Sequence, residues 1–431
     1  MAAKITCTNR IILQILPVNL TRNKKKIIND PVYGFISIPD ELIFDLIEHP
    51  WFQRLRRIRQ LGLTDYVYPG ANHSRFHHAI GTMHLMTMAI EQLRSRGHEI
   101  TEDEARGVLA AILLHDIGHG PFSHALEHSI IPGLHHEELS VMFMEELNRE
   151  FNGKLDICIQ IFKGTYHKKF LHQLVSSQLD MDRLDYLNRD SFFTGVAEGT
   201  VGSDRIIKML DVVNDEIVVL EKGIYSIEKF LLARRLMYWQ VYLHKTVLSA
   251  ENLLVNMLQR ARHLSESGVE LFASSALRFF LEGRYNIKDG FQNVSLRDAF
   301  AGLDDYDIFA SAKEWMNHTD PILKVLSTRL IKRKLLRIQL DNQPFSEEKV
   351  EALRNAWQMK GYSSEDSSYF VFTGEITNSA YKDGDDKINI CLKDGQIMEL
   401  RKASDQLRLS VLTESTRKYF LCYPKELDAT N

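Results

Sequence analysis

Apolar residues recur at the three- and four-residue spacing of helices over most of the chain, from about residue 40 to about residue 360. The clearest example follows Thr101 and Glu104, which form a capping box, and stops before the turn at residues 118–121, which contains Gly118, Gly120 and Pro121. One face of this predicted helix is apolar: Ala105, Val108, Leu109, Ile112 and Leu113. The pattern therefore predicts a mainly helical protein.

Three further elements follow from the same kind of pattern. Residues 170–190 predict one continuous helix, and residues 216–226 predict a short hairpin that turns at Lys222-Gly223. A long helix is predicted to begin at Ile227 and to continue to about residue 254.

The tail changes character after about residue 363. Three segments there are rich in β-branched and aromatic residues and are separated by Gly and Asp turns: YFVFTGEI, KINICLKDGQIMEL and KYFLCYP. We therefore expect a mainly α fold with a smaller α+β C-terminal part. The predicted division has four parts: a leader (1–25), a helical core (26–260), a helical extension (261–362) and an α+β lobe (363–431).

Composition narrows the function only slightly. The 431 residues are 44% hydrophobic and 26% charged, which is typical of a globular protein. The formal net charge of −4 provides no overall attraction to nucleic acid, so any anion site has to be built locally. Four cysteines without a CxxC pair fit a reducing, cytoplasmic location, and no apolar run reaches the roughly 18 residues of a membrane span.

Histidines are concentrated in one part of the chain, where eleven of the 17 lie between positions 73 and 136. His115 and Asp116 end the apolar run of the predicted helix, so we expect them to be buried, where an unpaired carboxylate is costly. A metal ion would neutralise that charge, and a buried Asp–His pair is the alternative. His78 and Asp182 are the best distant partners. Two His and two Asp suit Mn, Fe, Zn, Ni or Mg.

Seven motifs carry a resemblance to a known family: INDPVYG (28–34), FQRLRRIRQLG (52–62), VYPGANHSRFHHAIG (67–81), HDIGHGPFSH (115–124), HHEELS (135–140), DMDRLDYLNRD (180–190) and YLHK (242–245). In order and spacing they resemble the HD-domain phosphohydrolases. The match is closer to the deoxynucleoside triphosphate (dNTP) triphosphohydrolases, which include bacterial dGTPases and the vertebrate dNTPase with a sterile-alpha-motif and an HD domain. The resemblance implies that residues 26–260 are an HD-domain catalytic core.

The resemblance implies the metal ligands His78, His115, Asp116 and Asp182, and the family RFxH motif selects His78 over its neighbour His77. The implied reaction is hydrolysis at the α-phosphorus, which yields a deoxynucleoside and intact triphosphate. By family habit, dGTP is the first substrate expected.

The leaving 5′-oxygen needs a proton, and His124 with Glu127 three residues later is the expected general acid and its orienting carboxylate. By resemblance, His119 and His136 contact the phosphates or water.

The polyanionic substrate requires cations, and the resemblance places Arg75, Arg183 and Arg234 at the phosphates. For each arginine alone, a surface salt bridge is the alternative. Arg183 stands where the family has a lysine.

Four further residues are implied at the sugar. Tyr186 and Asp190 share a helix face with Asp182, and in the family this tyrosine leaves no room for a 2′-hydroxyl. Asp190 and Gln60 are expected to bind the 3′-hydroxyl, and Tyr242 is similar to a second tyrosine near the sugar. An ordinary solvated stripe is the alternative for this row.

Lys26, Gln53 and Arg56 resemble the family's nucleotide-effector site, although Glu48 replaces its guanine-reading aspartate. We expect a homo-oligomer, either a dimer or a tetramer. Five basic residues predict a helix with three arginines on one face: Arg329, Lys332, Arg333, Lys334 and Arg337. This face could contact single-stranded nucleic acid or an effector phosphate, and an ordinary solvated face is the alternative.

Two alternatives to a dNTP triphosphohydrolase stay open at this point. One is another HD enzyme, a nucleotidase or a phosphodiesterase. The other is a sensor of nucleotides or nucleic acid that holds a structural metal.

Overall fold

The computed structural model describes residues 26–122, 135–283, 285, 293–378, 387–404 and 416–430. Helices dominate these residues, and the strands form three small sheets. The expectation of a mainly α fold with a smaller sheet-containing C-terminal part is confirmed. No helix in these ranges has both the length and the apolar character needed to cross a membrane.

The helices of the N-terminal half are α1 (Glu41–Glu48), α2 (Pro50–Gln53), α3 (Arg75–Ser95), α4 (Glu102–Leu114), α5 (His136–Glu150), α6 (Asp156–Phe162), α7 (Lys169–Val175), α8 (Met181–Thr194) and α9 (Ser203–Lys208). Those of the C-terminal half are α10 (Ile224–Met237), α11 (Lys245–Glu266), α12 (Ser275–Leu281), α13 (Val294–Gly302), α14 (Asp305–Trp315), α15 (Pro321–Ile331), α16 (Glu347–Gln358), α17 (Ser364–Ser367) and α18 (Leu400–Ala403). Short 3₁₀ helices lie at Arg54–Arg57, Thr64–Tyr66, Ala197–Gly199, Glu221–Gly223 and Lys425–Thr430.

The strands are β1 (Ile27–Asp30), β2 (Gly34–Ser37), β3 (Leu210–Val213), β4 (Glu216–Leu220), β5 (Arg337–Asp341), β6 (Phe372–Asn378), β7 (Asn389–Cys391), β8 (Ile397–Glu399) and β9 (Thr416–Tyr423). They form the hairpin β1-β2 and sheets of order β3-β4-β7-β8 and β5-β9-β6. All pairs are antiparallel except β4 with β7, where Val219 lies opposite Ile390. The three strand-like tail segments are confirmed, and two of their strands, β7 and β9, pair with the earlier strands β4 and β5.

Helix α4 is the centre of the core, because α3 packs on one side of it and α6 on another. Its predicted capping box is confirmed: the amide of Thr101 donates to Glu104 Oε2 (2.8 Å), and the amide of Glu104 donates to Thr101 Oγ1 (3.2 Å). Residues 107–114 are all buried, so the second half of the helix is enclosed on every side rather than on one apolar face.

The single helix predicted over residues 170–190 is wrong, because the segment forms the two helices α7 and α8. Asp180 separates them as the N-cap of α8, where its carboxylate accepts from the amides of Ser177 (2.9 Å) and Arg183 (2.8 Å). A side chain that satisfies these amides competes with continuous helix. The break fixes a new direction for α8, which carries Asp182 in its first turn.

The hairpin predicted over residues 216–226 is also wrong. The chain turns earlier, at Asn214 and Asp215, which adopt positive φ values of 53° and 63° and join β3 to β4. Two consecutive left-handed residues of these types are typical of a tight hairpin turn. Lys222-Gly223 lies instead in the 3₁₀ turn that leads into α10.

The long helix predicted from Ile227 to about residue 254 is interrupted. Helix α10 ends at Met237, a π-helical turn covers Tyr238–Tyr242, and α11 begins at Lys245 after His244 caps the amide of Thr246 (3.2 Å). The wider π turn changes which side chains face the core. It places Tyr242 against α8, as described below.

The predicted basic helical face is wrong as well, because α15 ends at Ile331 and Arg337 lies in β5. Arg333 leaves the helix with a positive φ of 52° and donates to the carbonyl of Tyr66 (2.9 Å). Each of the other two arginines is in an ion pair: Arg329 with Glu426 (2.6 Å) and Arg337 with Asp428 (2.5 Å).

The turn after α4 packs directly on α5. The amide of Gly118 donates to Ser140 Oγ (3.0 Å), whose hydroxyl donates to the carbonyl of His115 (2.7 Å). A Cβ atom on Gly118 would collide with the backbone of His136 and Ser140. A glycine is therefore required at this close approach.

We predict that Gly118→Ala lowers the free energy of unfolding by about 1–3 kcal/mol, because the two backbones must separate. Gly120→Ala is the matched control in the same turn, since the atom nearest to its Cβ would be the Phe300 ring at 3.7 Å. Urea denaturation followed by circular dichroism measures both. Equal losses in the two variants would contradict the packing argument.

Glu251 of α11 generates a second prediction. Burial raises the pKa of this carboxyl to about 7 from its ordinary value of 4.5. The unfolded chain therefore ionises Glu251 first as the pH rises, and the folded protein loses stability between about pH 4.5 and pH 7. We expect Glu251→Gln to be more stable than the wild type at pH 8 and to lose most of that advantage at pH 5.

Urea unfolding at the two pH values measures this difference, and Glu348→Gln on the exposed surface of α16 is the control. A gain from Glu251→Gln that is the same at pH 5 and pH 8 would refute the assignment.

Candidate metal-dependent active site

Four predicted metal ligands meet where three helices converge. His78 comes from the first turn of α3, His115 and Asp116 follow the end of α4, and Asp182 comes from the first turn of α8. Ligand atoms of the first three lie within 4.8 Å of one another. Asp182 Oδ1 is 3.1 Å from His78 Nε2 and 3.6 Å from His115 Nε2. Adjacent residues within a helix point in different directions. His115 and Asp116 can face one point because α4 ends at Leu114, just before them.

The two imidazoles are oriented as metal ligands. The Nδ1 atom of His115 lies 2.6 Å from the carbonyl of Ile112, which can only accept, so this nitrogen carries the proton. The Nδ1 atom of His78 lies 2.7 Å from the carboxylate of Asp185. Each Nε2 atom is buried and has no hydrogen-bond partner among the described residues. Two such lone pairs aimed at one point fit a divalent cation.

The electrostatics of the cluster favour a cation. Burial lowers the pKa of His78, but the neighbouring carboxylates of Asp182 and Asp185 outweigh burial and raise it to about 10. For His115 burial is likewise outweighed, here by Asp116 and Asp182, and its pKa is raised. The carboxylates thus make the site strongly attractive to positive charge, which a divalent ion would supply.

Arg75, His119 and His136 adjoin this cluster on the side of Asp116. Arg75 Nη1 donates to Asp116 Oδ2, and His119 Nε2 lies 3.2 Å from Asp116 Oδ1. The His119 ring stacks on the ring of His136 with centroids 4.0 Å apart. Burial and the charge of Arg75 hold the pKa of His119 well below its ordinary value, so its ring is neutral at pH 7.

Tyr186, Asp190 and Tyr242 form a second group further along α8. Asp190 Oδ2 accepts the hydroxyl of Tyr242 (2.8 Å), and Asp190 Oδ1 lies 2.7 Å from His73 Nε2. The Tyr186 and Tyr242 rings meet edge to face with centroids 6.1 Å apart. Burial and then the charge of Asp190 raise the pKa of Tyr242 well above its ordinary value, so it remains a hydroxyl donor.

The other predicted substrate residues, Gln60, Arg183 and Arg234, each have at least one buried polar atom without a hydrogen-bond partner within the described ranges. Arg183 pairs with Asp180 on its own helix, and Arg234 Nη1 donates to Gln178 Oε1 (3.2 Å). Within the described ranges, Gln60 Oε1 and the Nε atoms of Arg183 and Arg234 are buried without a hydrogen-bond partner. Buried polar atoms of this kind are available to a ligand.

The predicted effector residues contact one another or aromatic rings. Arg56 Nε donates to Gln53 Oε1 (2.8 Å), and its guanidinium lies 3.5 Å from the centroid of the Phe76 ring. Lys26 lies over the ring of Phe44 at 4.4 Å. The predicted general acid His124 and its partner Glu127 lie outside the described residues.

Sequence reasoning missed His73 and Asp185. The spacing DRLDYLNR contained a signal for Asp185, since Asp185 and Arg189 are four residues apart on one helix face and form an ion pair (2.9 Å). Nothing in the local sequence distinguishes His73, whose role depends on a contact 117 residues away.

A cluster of two His and two Asp at the junction of three helices indicates the class of protein, and comparison with known families agrees. The family model described as "HD domain" matches residues 75–190, and the model described as "HD associated region" matches residues 201–274. HD domains bind divalent metal ions, and the His78–His115–Asp116 group could hold one.

The chain belongs to the HD-domain phosphohydrolase family. It is 32% identical over 421 residues to the uncharacterized protein YwfO of Bacillus subtilis. The match covers 94% of this chain and 93% of YwfO. It is similar to a crystal structure of a phosphohydrolase (BT4208) from Bacteroides thetaiotaomicron, with a TM-score of 0.90 and 53% identity over 93% of this chain and 99% of that one.

A third relative has a stated activity in its name. The deoxynucleoside triphosphate triphosphohydrolase SAMHD1 homolog of Dictyostelium discoideum is 34% identical over 261 residues, which is 56% of this chain. The matched region spans half the length of that relative.

We predict that the double variant His115→Ala, Asp116→Ala loses bound divalent metal and retains its helical fold. The reason is that it removes two of four ligands from the end of α4, after the last buried turn of the helix. Metal content by mass spectrometry and far-UV circular dichroism test the two parts. Wild-type metal content in the double variant would refute the ligand assignment.

Proposed function

We propose that the protein is a metal-dependent dNTP triphosphohydrolase that converts a dNTP to the deoxynucleoside and triphosphate, with dGTP as the first substrate to test. The observation that carries the proposal is the organisation of α8. This helix supplies Asp182 to the metal cluster and then Tyr186 and Asp190 at successive turns, about 6 Å apart. That spacing matches a ligand with a phosphate at one end and a sugar at the other.

The phosphate end is built for a polyanion. A divalent ion held by His78, His115, Asp116 and Asp182 would polarise a phosphoryl oxygen and activate water. Arg75 pairs with Asp116 at this site, and its guanidinium brings a fixed positive charge to the place proposed for the phosphoryl oxygens. His119 is neutral at pH 7, so its ring can form hydrogen bonds to phosphate or water beside Asp116 without carrying a charge.

The sugar end supplies hydrogen bonding and an apolar wall. His73 and Tyr242 hold the carboxylate of Asp190 from two sides, so its position is fixed before substrate binds. We assign Asp190 and Gln60 to the 3′-hydroxyl. The Tyr186 and Tyr242 rings are assigned to the face of the sugar that a 2′-hydroxyl would crowd.

His124 with Glu127 is retained as the proposed general acid pair, and Arg183 and Arg234 as proposed phosphate contacts. Lys26 and Arg56, both exposed cations, and Gln53 are retained as a nucleotide-effector surface. We also propose a cytoplasmic homo-oligomer.

Product analysis tests the reaction. The purified protein would be incubated with Mn²⁺ or Mg²⁺ and with each dNTP, singly and pooled, and the products separated by ion-pair chromatography. We expect deoxynucleoside and triphosphate in equal amounts, and activity restricted to the pool would reveal an effector requirement. The His115→Ala, Asp116→Ala variant, purified in parallel, controls for contaminating hydrolases.

Mononucleotide or inorganic phosphate as the product would contradict the proposal and favour a nucleotidase or phosphodiesterase. Tight, salt-sensitive nucleotide binding without turnover would favour a sensor.

A further inference from the structure

A chain of buried charges continues from His78 away from the metal cluster. Asp185 Oδ2 lies 2.7 Å from His78 Nδ1 and accepts from Arg189 Nε at 2.9 Å. Arg189 Nη1 donates in turn to Asp30 Oδ2 at 2.7 Å. The side chains of all four residues are at most 2% exposed. This row of ion pairs thus joins the proposed metal ligand His78 to Asp30, 48 positions earlier in the sequence.

Asp30 is fixed by its own turn. It ends β1, and its Oδ1 atom accepts from the amides of Val32 (2.9 Å) and Tyr33 (3.0 Å) in the loop to β2. Oδ1 therefore organises the β1–β2 turn, and both oxygens of the carboxylate bind Arg189, since Oδ1 also accepts from Arg189 Nη2 at 3.3 Å. The turn and the guanidinium cannot move independently.

Close packing of α3 on α8 restricts the side chains of Asp185 and Arg189, the two middle members of this row of ion pairs. A Cβ atom on Gly81 would collide with the side chains of Arg189 and Asp185. The two side chains therefore use the space that a glycine leaves on α3, one turn after His78. This confinement limits Asp185 to the position from which it binds His78 Nδ1.

The net stability of such a network is small, because the cost of desolvating its charges offsets their attraction. Orientation of the metal ligand His78 therefore explains the buried network better than stability does. A metal-binding imidazole needs a partner on its second nitrogen, which fixes the ring and its tautomer.

We propose that Arg189 and Asp30 are positioning residues for the metal site: the β1–β2 turn sets Asp30, Asp30 orients Arg189, and Arg189 holds Asp185 against His78. The inference rests on the metal site of the proposed function and is independent of its substrate.

Metal affinity measured without substrate tests the inference. The Kd for Mn²⁺ would be obtained for the full chain by electron paramagnetic resonance of free Mn²⁺. We expect Asp30→Asn to raise this Kd about tenfold or more, because the amide keeps the size of the side chain and removes the charge that orients Arg189. Arg189→Lys keeps the charge but loses the fork that joins Asp185 to Asp30, and should have a similar effect.

Asp320→Asn is the matched control. Like Asp30, Asp320 accepts from a backbone amide with Oδ1, that of Leu323 (2.7 Å), and binds an arginine with both oxygens: Oδ2 accepts from Arg260 Nη2 (2.6 Å) and Oδ1 from Arg260 Nε (3.2 Å). It lies at the start of α15, outside the metal cluster. Circular dichroism and thermal melting report the structural cost of each variant, which we expect to be similar for Asp30→Asn and Asp320→Asn.

Wild-type Mn²⁺ affinity in folded Asp30→Asn and Arg189→Lys would overturn the inference and leave the network with a structural role alone. If Asp30→Asn does not fold, Arg189→Lys decides between the two results. Weakened binding in these variants supports the inference even if the wild type hydrolyses no dNTP. A wild type that binds no Mn²⁺ would overturn both this inference and the metal-dependent reaction.

Discussion

The burial of charge at the end of α4 is the constraint on which the rest of the structure depends. Residues 107–114 are enclosed on every side, so the His115-Asp116 pair that follows is carried into the interior with them. A carboxylate in that position is costly unless it is paired. Arg75 and His119 pair Asp116 directly, and the lone pairs of His78 and His115 are left facing a point that attracts a cation.

The surrounding helices are arranged to meet this constraint. The glycine turn after α4 lets α5 approach, α3 brings His78, and the break before α8 directs Asp182 to the same point. The same helix then continues to Asp190, so one rigid element spans the metal cluster and the aromatic–carboxylate group. This shared scaffold holds the two ends of the proposed substrate site at a fixed separation.

The His and Asp residues that motif order and family resemblance assigned to a metal come together in the structure, around the buried end of α4. Helix interruptions were predicted poorly. Residues 170–190 keep helical periodicity across the break between α7 and α8. Only the capping hydrogen bonds of Asp180 show where α8 begins. The hairpin was displaced because Asn214 and Asp215 both adopt positive φ, which residue preference allows but does not require.

By itself the sequence determined the helical character and the strand-rich tail, since these depend on periodicity and side-chain chemistry along short stretches, and its motifs indicated candidate metal ligands. Tertiary structure alone decided which groups support them. His73 reaches Asp190 across 117 positions, and Asp30 reaches Arg189 across 159. Such contacts depend on which helices and turns pack against each other. No local sequence pattern encodes them, because the interaction becomes strong only when the charged groups are buried side by side.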